Sequence, residues 1–385
     1  MSNGTPNYYR LVVIAGLIWG MAADLMAAPT EHFPHHLHTG MHVQVGHDHR
    51  ESLQTKSKFR RPTPPLVWLA MKEGEDMGQA LHVSDPYPNC KNILSFSHPL
   101  DWGAQVVYGS FFPKLNFKTA RITSIATRCY NCVAWSLGIT DDWLWPEDKS
   151  IPSAQSTRLE DFDKFYGKLG YKRVGDPKEA TIAVWAVTPP KGEPFMTHAS
   201  VIRADYQGQW SSKLGAMVRM RHDPRDLEGD QYGKAIAYYR KIANEDLLKL
   251  RAGLFSSPQL APLSRAQYAK LDHKIHQLSS DFLLKFDTGY EAWKETWFRG
   301  SERFSSDPAS RTDSAEFKAL VEMGPAILPL VVKHLLNPEE FMALQLYDTL
   351  QTKKELKVRY GEGFPIYGGE KGRARRTTKL YVKAL

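Results

Sequence analysis

The sequence predicts an α+β domain followed by an all-α helical domain. The first observation is a pair of neighbouring β-forming runs, 180–187 (ATIAVWAV) and 197–203 (THASVIR), typical of buried antiparallel strands. The second is that residues 226–385 lack alternating patterns and place apolar residues three to four positions apart, as helices do. The third is the length of 385 residues, which allows two or three units at roughly 150 residues per domain.

Composition excludes several classes of protein. Hydrophobic residues make up 42% and charged residues 24%, which excludes a wholly disordered or collagen-like chain. Three cysteines cannot form a disulfide framework, and the odd number leaves at least one thiol free or intermolecular. The net charge is +8, and residues 353–385 contain ten Lys and Arg against three Glu. Because the rest of the chain is nearly neutral, a uniformly basic, histone-like binder is excluded.

The N-terminal region predicts a secretory signal and a disordered lead. Residues 11–23 are an apolar run too short for a membrane-spanning helix, which needs about 20 residues, but long enough for the core of a signal peptide. A mis-assigned start and an apolar helix are the alternatives. We assign 1–28 to the signal and 29–85 to a His- and Pro-rich spacer, whose histidines could also collect metal ions. The protein is then secreted, or cytoplasmic if the signal is not real, with no transmembrane segment in the mature chain.

Residues 86–225 form the predicted α+β domain, and short signals define its elements. Thr127 or Asn131 can cap a helix that has Cys132 in its first turn and ends at Gly138. A second helix is predicted over 159–169. The strands over 180–187 and 197–203 follow, and a third strand begins at Trp210 after a hairpin turn.

A cysteine at a helix start and a histidine at a strand start are the order found in papain-like hydrolases. The helix end favours the thiolate of Cys132, and the imidazole of His198 would act as its base. A third polar group normally orients the histidine, and Ser212 and Lys213 on the next strand are available. The alternatives are a buried core cysteine, a Cys129–Cys132 redox pair and, more weakly, zinc ligation.

Polar and aromatic residues around these positions are candidates for a substrate groove. Packing in the core is the alternative interpretation for the tryptophans. The candidates are Asn131, Trp135, Trp143, Trp145 and Trp210.

The ordered strings YNCVAWSLG, W-x-WP, LGY, THAS and WSSKLG resemble an uncharacterised domain-of-unknown-function family. The resemblance covers about 110–223 and implies a papain-like fold more firmly than an enzymatic activity. By motif, it implies that Cys132 is the nucleophile and His198 its base. It also implies that the segment 210–215 supplies the orienting partner, and that Cys129 lies outside the shared pattern.

Residues 226–385 are predicted to form the helical domain with a basic tail. Helices are expected over 235–250, 265–286 and 290–298, and then over 314–323, 326–336 and from Asn337 to Leu350. The segment 316–350 is similar to a HEAT-like helix pair, although one unit is too little for a solenoid and a compact bundle is preferred. The tail is predicted to be either a solvated helix face or a contact for an anionic surface.

These observations predict a thiol hydrolase that acts on an amide bond, as a peptidase, amidase or deamidase. The alternative is a catalytically inactive protein-binding module. A protein or peptide is the expected partner, and nucleic acid is not favoured. The sequence carries no phosphate-binding loop and no metal signature of the His-Glu-x-x-His type, so no cofactor and no metal are expected.

Overall fold

A computed structural model describes residues 90, 93–148, 154–155, 157–243, 246–361 and 363–385. The predicted signal (1–28) and the whole of the His- and Pro-rich lead (29–85) lie outside the described residues. The described residues all belong to one compact unit, 75–385. No helix among them is long and apolar enough to cross a bilayer.

An eight-stranded antiparallel sheet organises residues 98–241, in the order β1-β2-β9-β8-β7-β6-β10-β5. A two-stranded hairpin, β3–β4, lies apart from this sheet. The strands are β1 His98–Pro99, β2 Arg121–Ser124, β3 Glu147–Asp148, β4 Ala154–Gln155, β5 Tyr171–Val174, β6 Ile182–Val187, β7 Phe195–Ile202, β8 Trp210–Lys213, β9 Arg219–His222 and β10 Lys234–Lys241. An α+β fold is therefore confirmed, whereas the papain-like assignment is not.

Helices cover the two faces of the sheet and build the C-terminal region. Helix α1 packs on one face, which we call the α1 face, and α2 and α3 pack on the other, the α2 face. The helices are α1 Trp102–Phe111, α2 Cys132–Ser136, α3 Leu159–Lys168, α4 Leu247–Phe255, α5 Arg265–His276, α6 Ser280–Thr296, α7 Ala315–Glu322, α8 Leu328–His334, α9 Ala343–Leu350 and α10 Gly369–Lys383.

The alternation of side chains along β6 shows how the sequence separates the two faces. Ile182, Val184 and Ala186 belong to the core under α2 and α3, whereas Ala183 and Trp185 belong to the core under α1. Successive side chains of a strand point to opposite faces, so an unbroken apolar run fits a strand covered on both sides. This strand and β7 were predicted to within two residues at each end.

The helix predicted over 235–250 is wrong in its first half. Residues 234–241 form β10, which pairs with β6 on one side and β5 on the other. Ala237 and Tyr239 point into the α2-face core, so the run alternates in space as a strand does. Helix propensity is a weak prior, and pairing to two neighbouring strands overrides it here. The sheet thus extends beyond the boundary at 225/226 that the sequence suggested.

The C-terminal helices surround a core of their own. Aromatic side chains of α6 lie at its centre, together with residues of α8, α9 and α10. The predicted Gly-Pro break does separate α7 from α8, and Gly324 has a positive φ of 76°. The two helices have different main neighbours: α7 packs on α6 and α9, while α8 packs on α9 and α5. The HEAT-like pair is therefore not confirmed.

The basic tail is mainly a core helix rather than a solvated face. Arg373 of α10 is buried and forms ion pairs with Asp348 at 2.6 Å and with Glu370 at 2.8 Å. Lys371 is also buried and pairs with Glu339 at 2.8 Å. Each buried charge thus has a carboxylate partner, and removal of one partner would leave the other uncompensated. Asp348 comes from α9 and Glu339 from the segment before it, and the composition of the tail alone could not reveal these two partners.

Candidate functional site

Asn131 holds the start of α2 against two other parts of the chain. Its Oδ1 accepts from the backbone N–H of Ala134 at 3.0 Å, as an N-cap does, and from that of Leu144 at 3.2 Å. Its Nδ2 donates to the carbonyls of Leu144 at 2.7 Å and Ser306 at 3.2 Å. All four bonds are buried, so the predicted capping role is confirmed and the amide faces no groove.

Cys132 is the first residue of α2 and has no solvent exposure. Its Sγ accepts from the backbone N–H of Ala199 at 3.3 Å. Burial raises the pKa of the thiol to about 11, against hydrogen bonds from Ser306 and Ala199 and the charge of Lys213, which lower it. The depressed pKa expected from the helix start is therefore not found, because desolvation outweighs the partial charge of a five-residue helix.

His198 lies on the other side of the sheet from Cys132. The Sγ of Cys132 contacts β7 at the backbone nitrogen of Ala199, and Ala199 packs in the same core as Cys132. His198 precedes Ala199 in β7, and its cross-strand partner Trp185 packs in the α1-face core. Adjacent side chains in a strand point to opposite faces, so the His198 ring points away from the thiol.

The environment of His198 supports this placement. Its ring stacks on Tyr232 with centroids 4.0 Å apart, and Tyr232 belongs to the α1-face core. Neither ring nitrogen has a hydrogen-bond partner among the described residues. Burial, and then the nearby His222, lower the pKa of His198 well below its usual value. The sequence-predicted pair of a Cys132 nucleophile and a His198 base is thus not assembled in this structure.

Ser212 and Lys213 are separated by the same alternation. Ser212 lies on the α1 face, where its Oγ is 2.7 Å from Ser200 Oγ and 2.8 Å from His222 Nε2. Lys213 lies on the α2 face near Tyr130. Neither side chain contacts a ring nitrogen of His198. The expected orienting partner is therefore supplied by neither residue.

Lys213 instead holds three backbone segments together. Its Nζ donates to the carbonyls of Thr127 at 2.8 Å, Gly215 at 2.6 Å and Met217 at 2.6 Å. Burial lowers the pKa of Lys213, but three carbonyl acceptors require all three N–H bonds of the ammonium form. The lysine is a structural cation that satisfies otherwise orphaned carbonyls.

His222 is the residue that sequence reasoning missed. Its Nδ1 lies 2.8 Å from the carbonyl of Asp223, which can only accept, so Nδ1 carries the proton. Nε2 then accepts from Ser212, and Ser200 accepts from Trp185 Nε1 at 2.8 Å. The sequence signal that could have identified His222 is the strand alternation of β9, which places Met220 and His222 on the same face of the sheet. All four hydrogen-bonded side chains, Trp185, Ser200, Ser212 and His222, are buried. Burial lowers the pKa of His222 to about 4, so the ring stays neutral.

The aromatic groove candidates are mostly core residues. Trp143 packs among the C-terminal helices, Trp145 against Phe162, and Trp210 against Trp185. All three are at most 6% exposed. Trp135 is half-buried, and its Nε1 donates to Ser211 at 3.1 Å.

A disulfide joins Cys90 to Cys129, with 5.5 Å between the Cα atoms. Cys132 is the free cysteine of the described residues. The Cys129–Cys132 redox pair considered from the sequence is therefore absent, because the partner of Cys129 comes from 39 residues upstream. The same residues contain no cluster of His, Cys, Asp and Glu suited to a metal ion.

Comparison with known families gives one match. A model of a domain of unknown function, DUF7689, matches residues 121–240, which run from β2 to β10. This region contains α2, the β7–β8 hairpin and β9, and therefore all the motif residues described above. No curated protein and no solved structure matches the chain.

Proposed function

We propose that this chain is a catalytically inactive binding protein, in which the Cys and His motifs stabilise the fold. The observation that carries the proposal is the placement of Cys132 and His198 on opposite faces of one sheet. A general base must reach its nucleophile directly or through one water molecule. The backbone of β7 separates the two groups, so a change of side-chain rotamer cannot join them.

The protonation states support the same conclusion. A thiol with a pKa of about 11 is ionised in about one molecule in ten thousand at pH 7. The imidazole of His198 is buried and finds no hydrogen-bond partner in the described part of the chain, so it lacks a route for the proton that a base must pass on. Cysteine hydrolases need the opposite arrangement, an accessible thiolate beside an imidazolium.

The disulfide supports a location outside the reducing cytosol. Structural disulfides persist in oxidising compartments and are rare in cytosolic proteins. The Cys90–Cys129 bond and the apolar run 11–23 thus favour the same compartment. We propose that the protein is exported.

Reaction with a thiol-directed probe tests catalytic inactivity. The native protein is treated with fluorescent iodoacetamide from pH 6 to pH 9, with Cys132→Ala as the matched variant. We expect negligible labelling of the native wild type, and labelling of one thiol after unfolding in guanidinium without reductant. The variant should melt within a few degrees of the wild type.

A panel of peptide and simple amide substrates completes the test. Hydrolysis that disappears in Cys132→Ala, or rapid labelling of the native protein at pH 7, would show that the site is catalytic and that the proposal is wrong. His198→Phe is the second variant, because its stacking on Tyr232 is retained. An active Cys–His site would lose its activity in this variant as well.

A further inference from the structure

An arginine cluster on the α2 face has no acidic partner within the described part of the chain. Arg121 of β2 and Arg221 of β9 are direct cross-strand partners, and Arg219 follows on the same face of β9. Their neighbours Ile122 and Met220 point into the α1-face core, which fixes the opposite direction of the arginines. Arg121 and Arg221 are half-buried, whereas Arg219 is only 6% exposed.

The hydrogen bonds of the cluster leave its charge uncompensated. Arg121 donates to the carbonyls of Lys118 and Ala120, both at 2.8 Å. Arg219 donates to the hydroxyls of Thr123 at 3.0 Å and Ser95 at 2.6 Å, and to the carbonyl of Thr123 at 2.7 Å. These acceptors are neutral, and they orient the guanidinium groups without neutralising them.

Two of the guanidinium groups lie near aromatic rings. The guanidinium of Arg219 lies 4.3 Å from the ring centroid of Trp135, and that of Arg221 lies 6.0 Å from the ring of Tyr206. The Nε of Arg221 is buried and has no hydrogen-bond partner among the described residues. Arg203 also contacts Tyr206, but it pairs with Asp205 and is not part of the cluster.

Like charges directly opposite each other on two strands destabilise a sheet. The fold therefore carries a cost at Arg121 and Arg221, and no carboxylate of the described chain forms an ion pair with either of them. An incoming anion would remove this cost. Guanidinium groups match the planar, two-oxygen geometry of carboxylates.

We propose that the arginine cluster binds an extended acidic peptide of a protein partner. The arrangement is the reason for this choice: the half-buried Arg121 and Arg221 stand side by side across two strands, and Arg219 lies two residues, about 7 Å, further along β9. Alternate side chains of an extended peptide repeat at the same interval. The aromatic rings are covered by arginines on one face, which disfavours the sugar stacking that a polysaccharide ligand would use. This inference rests on the proposed binding function and names its partner class.

Two blocked peptides of identical composition test the spacing. Thr-Glu-Thr-Glu-Thr-Glu-Thr presents all its carboxylates on one face, whereas Glu-Thr-Thr-Glu-Thr-Thr-Glu alternates them between faces. Binding is measured by fluorescence anisotropy at 50 mM and 200 mM salt on the full chain. We expect Thr-Glu-Thr-Glu-Thr-Glu-Thr, with its carboxylates on one face, to bind at least fivefold more tightly, and its affinity to fall at the higher salt.

Substitutions then locate the binding surface. The double variant Arg121→Gln/Arg221→Gln should weaken binding about tenfold, since two ion pairs with the peptide are lost. It should melt no lower than the wild type, because the cross-strand repulsion is removed. The matched control is Arg240→Gln, which removes an exposed arginine of the same sheet that is paired with Glu179.

Three results would overturn the inference. These are equal affinity for the two peptides, unchanged binding by the double variant, and tighter binding of a sulfated polysaccharide or an oligonucleotide than of Thr-Glu-Thr-Glu-Thr-Glu-Thr. A negative result for peptide binding can be distinguished from a negative result for the proposed absence of catalysis. Thiol labelling reports on the catalytic question, and peptide binding reports on this surface.

Discussion

Opening the Cys90–Cys129 disulfide is expected to destabilise the protein strongly without abolishing its fold. The bond closes a loop of 39 residues that contains β1, α1 and β2. A cross-link of this length lowers the entropy of the unfolded chain by an amount worth about 4 kcal/mol. The sulfur of Cys129 lies in the α2-face core, so substitution to Ala adds a small packing cost to this value.

The expected fall in melting temperature follows from the size of the unit. Unfolding entropy is about 2.1 cal/mol/K per residue, and the unit 75–385 has roughly 310 residues. Dividing about 4 kcal/mol by this entropy gives a shift of about 6 °C. The whole unit must unfold together for this value to apply.

Calorimetry of three samples measures the effect. The oxidised wild type, the wild type in reductant, and Cys90→Ala/Cys129→Ala in reductant are compared after thiols are counted in denaturant. The reduced wild type isolates the cross-link, and the variant should melt at or slightly below it, with no response to reductant. A fully reduced wild type that melts within 1 °C of the oxidised form would refute the reasoning.

Three further predictions address the buried polar residues and one tight backbone contact. Lys213→Met leaves three buried carbonyls without a donor and should cost about 2–4 kcal/mol in urea unfolding, whereas exposed Lys234→Met should change stability by less than about 0.5 kcal/mol. His198→Phe should gain stability relative to the wild type as pH falls below about 6.5, since the lowered pKa of the histidine lets the unfolded chain bind the proton first; a constant difference between pH 8 and pH 4.5 would contradict this. Gly233→Ala should cost more than about 3 kcal/mol, because its Cβ would lie 1.7 Å from the carbonyl oxygen of Ala186, whereas Gly363→Ala, with a similar φ and open space, should cost only about 1–2 kcal/mol.

Several individual strands and helices could be predicted from the sequence alone. The strands β6, β7 and β8, the helix that begins at Cys132 and the cap at Asn131 depend on signals within a few residues. The Gly-Pro break between α7 and α8 is equally local. Alternation, capping and turn residues act over such distances, so one chain segment carries the information.

Strand β10 shows where local signals were insufficient. Residues 234–241 have helix-compatible spacing, and only their pairing with β5 and β6 made them a strand. The partner of Cys129 was equally hidden, because 39 residues separate it from Cys90. One of the two carboxylates that neutralise Arg373, that of Asp348, also comes from outside the tail. Each of these contacts depends on how distant segments meet.

The sequence by itself determined that Cys132 begins a helix and that His198 lies on a strand. Only the tertiary structure decided that α2 packs against the face of β7 that carries Ala199, so that the histidine points to the opposite core. A one-residue difference in strand register exchanges the faces of all its side chains. The order Cys, His, Ser and Lys along the chain is the same in either register, and the chemistry depends on the register.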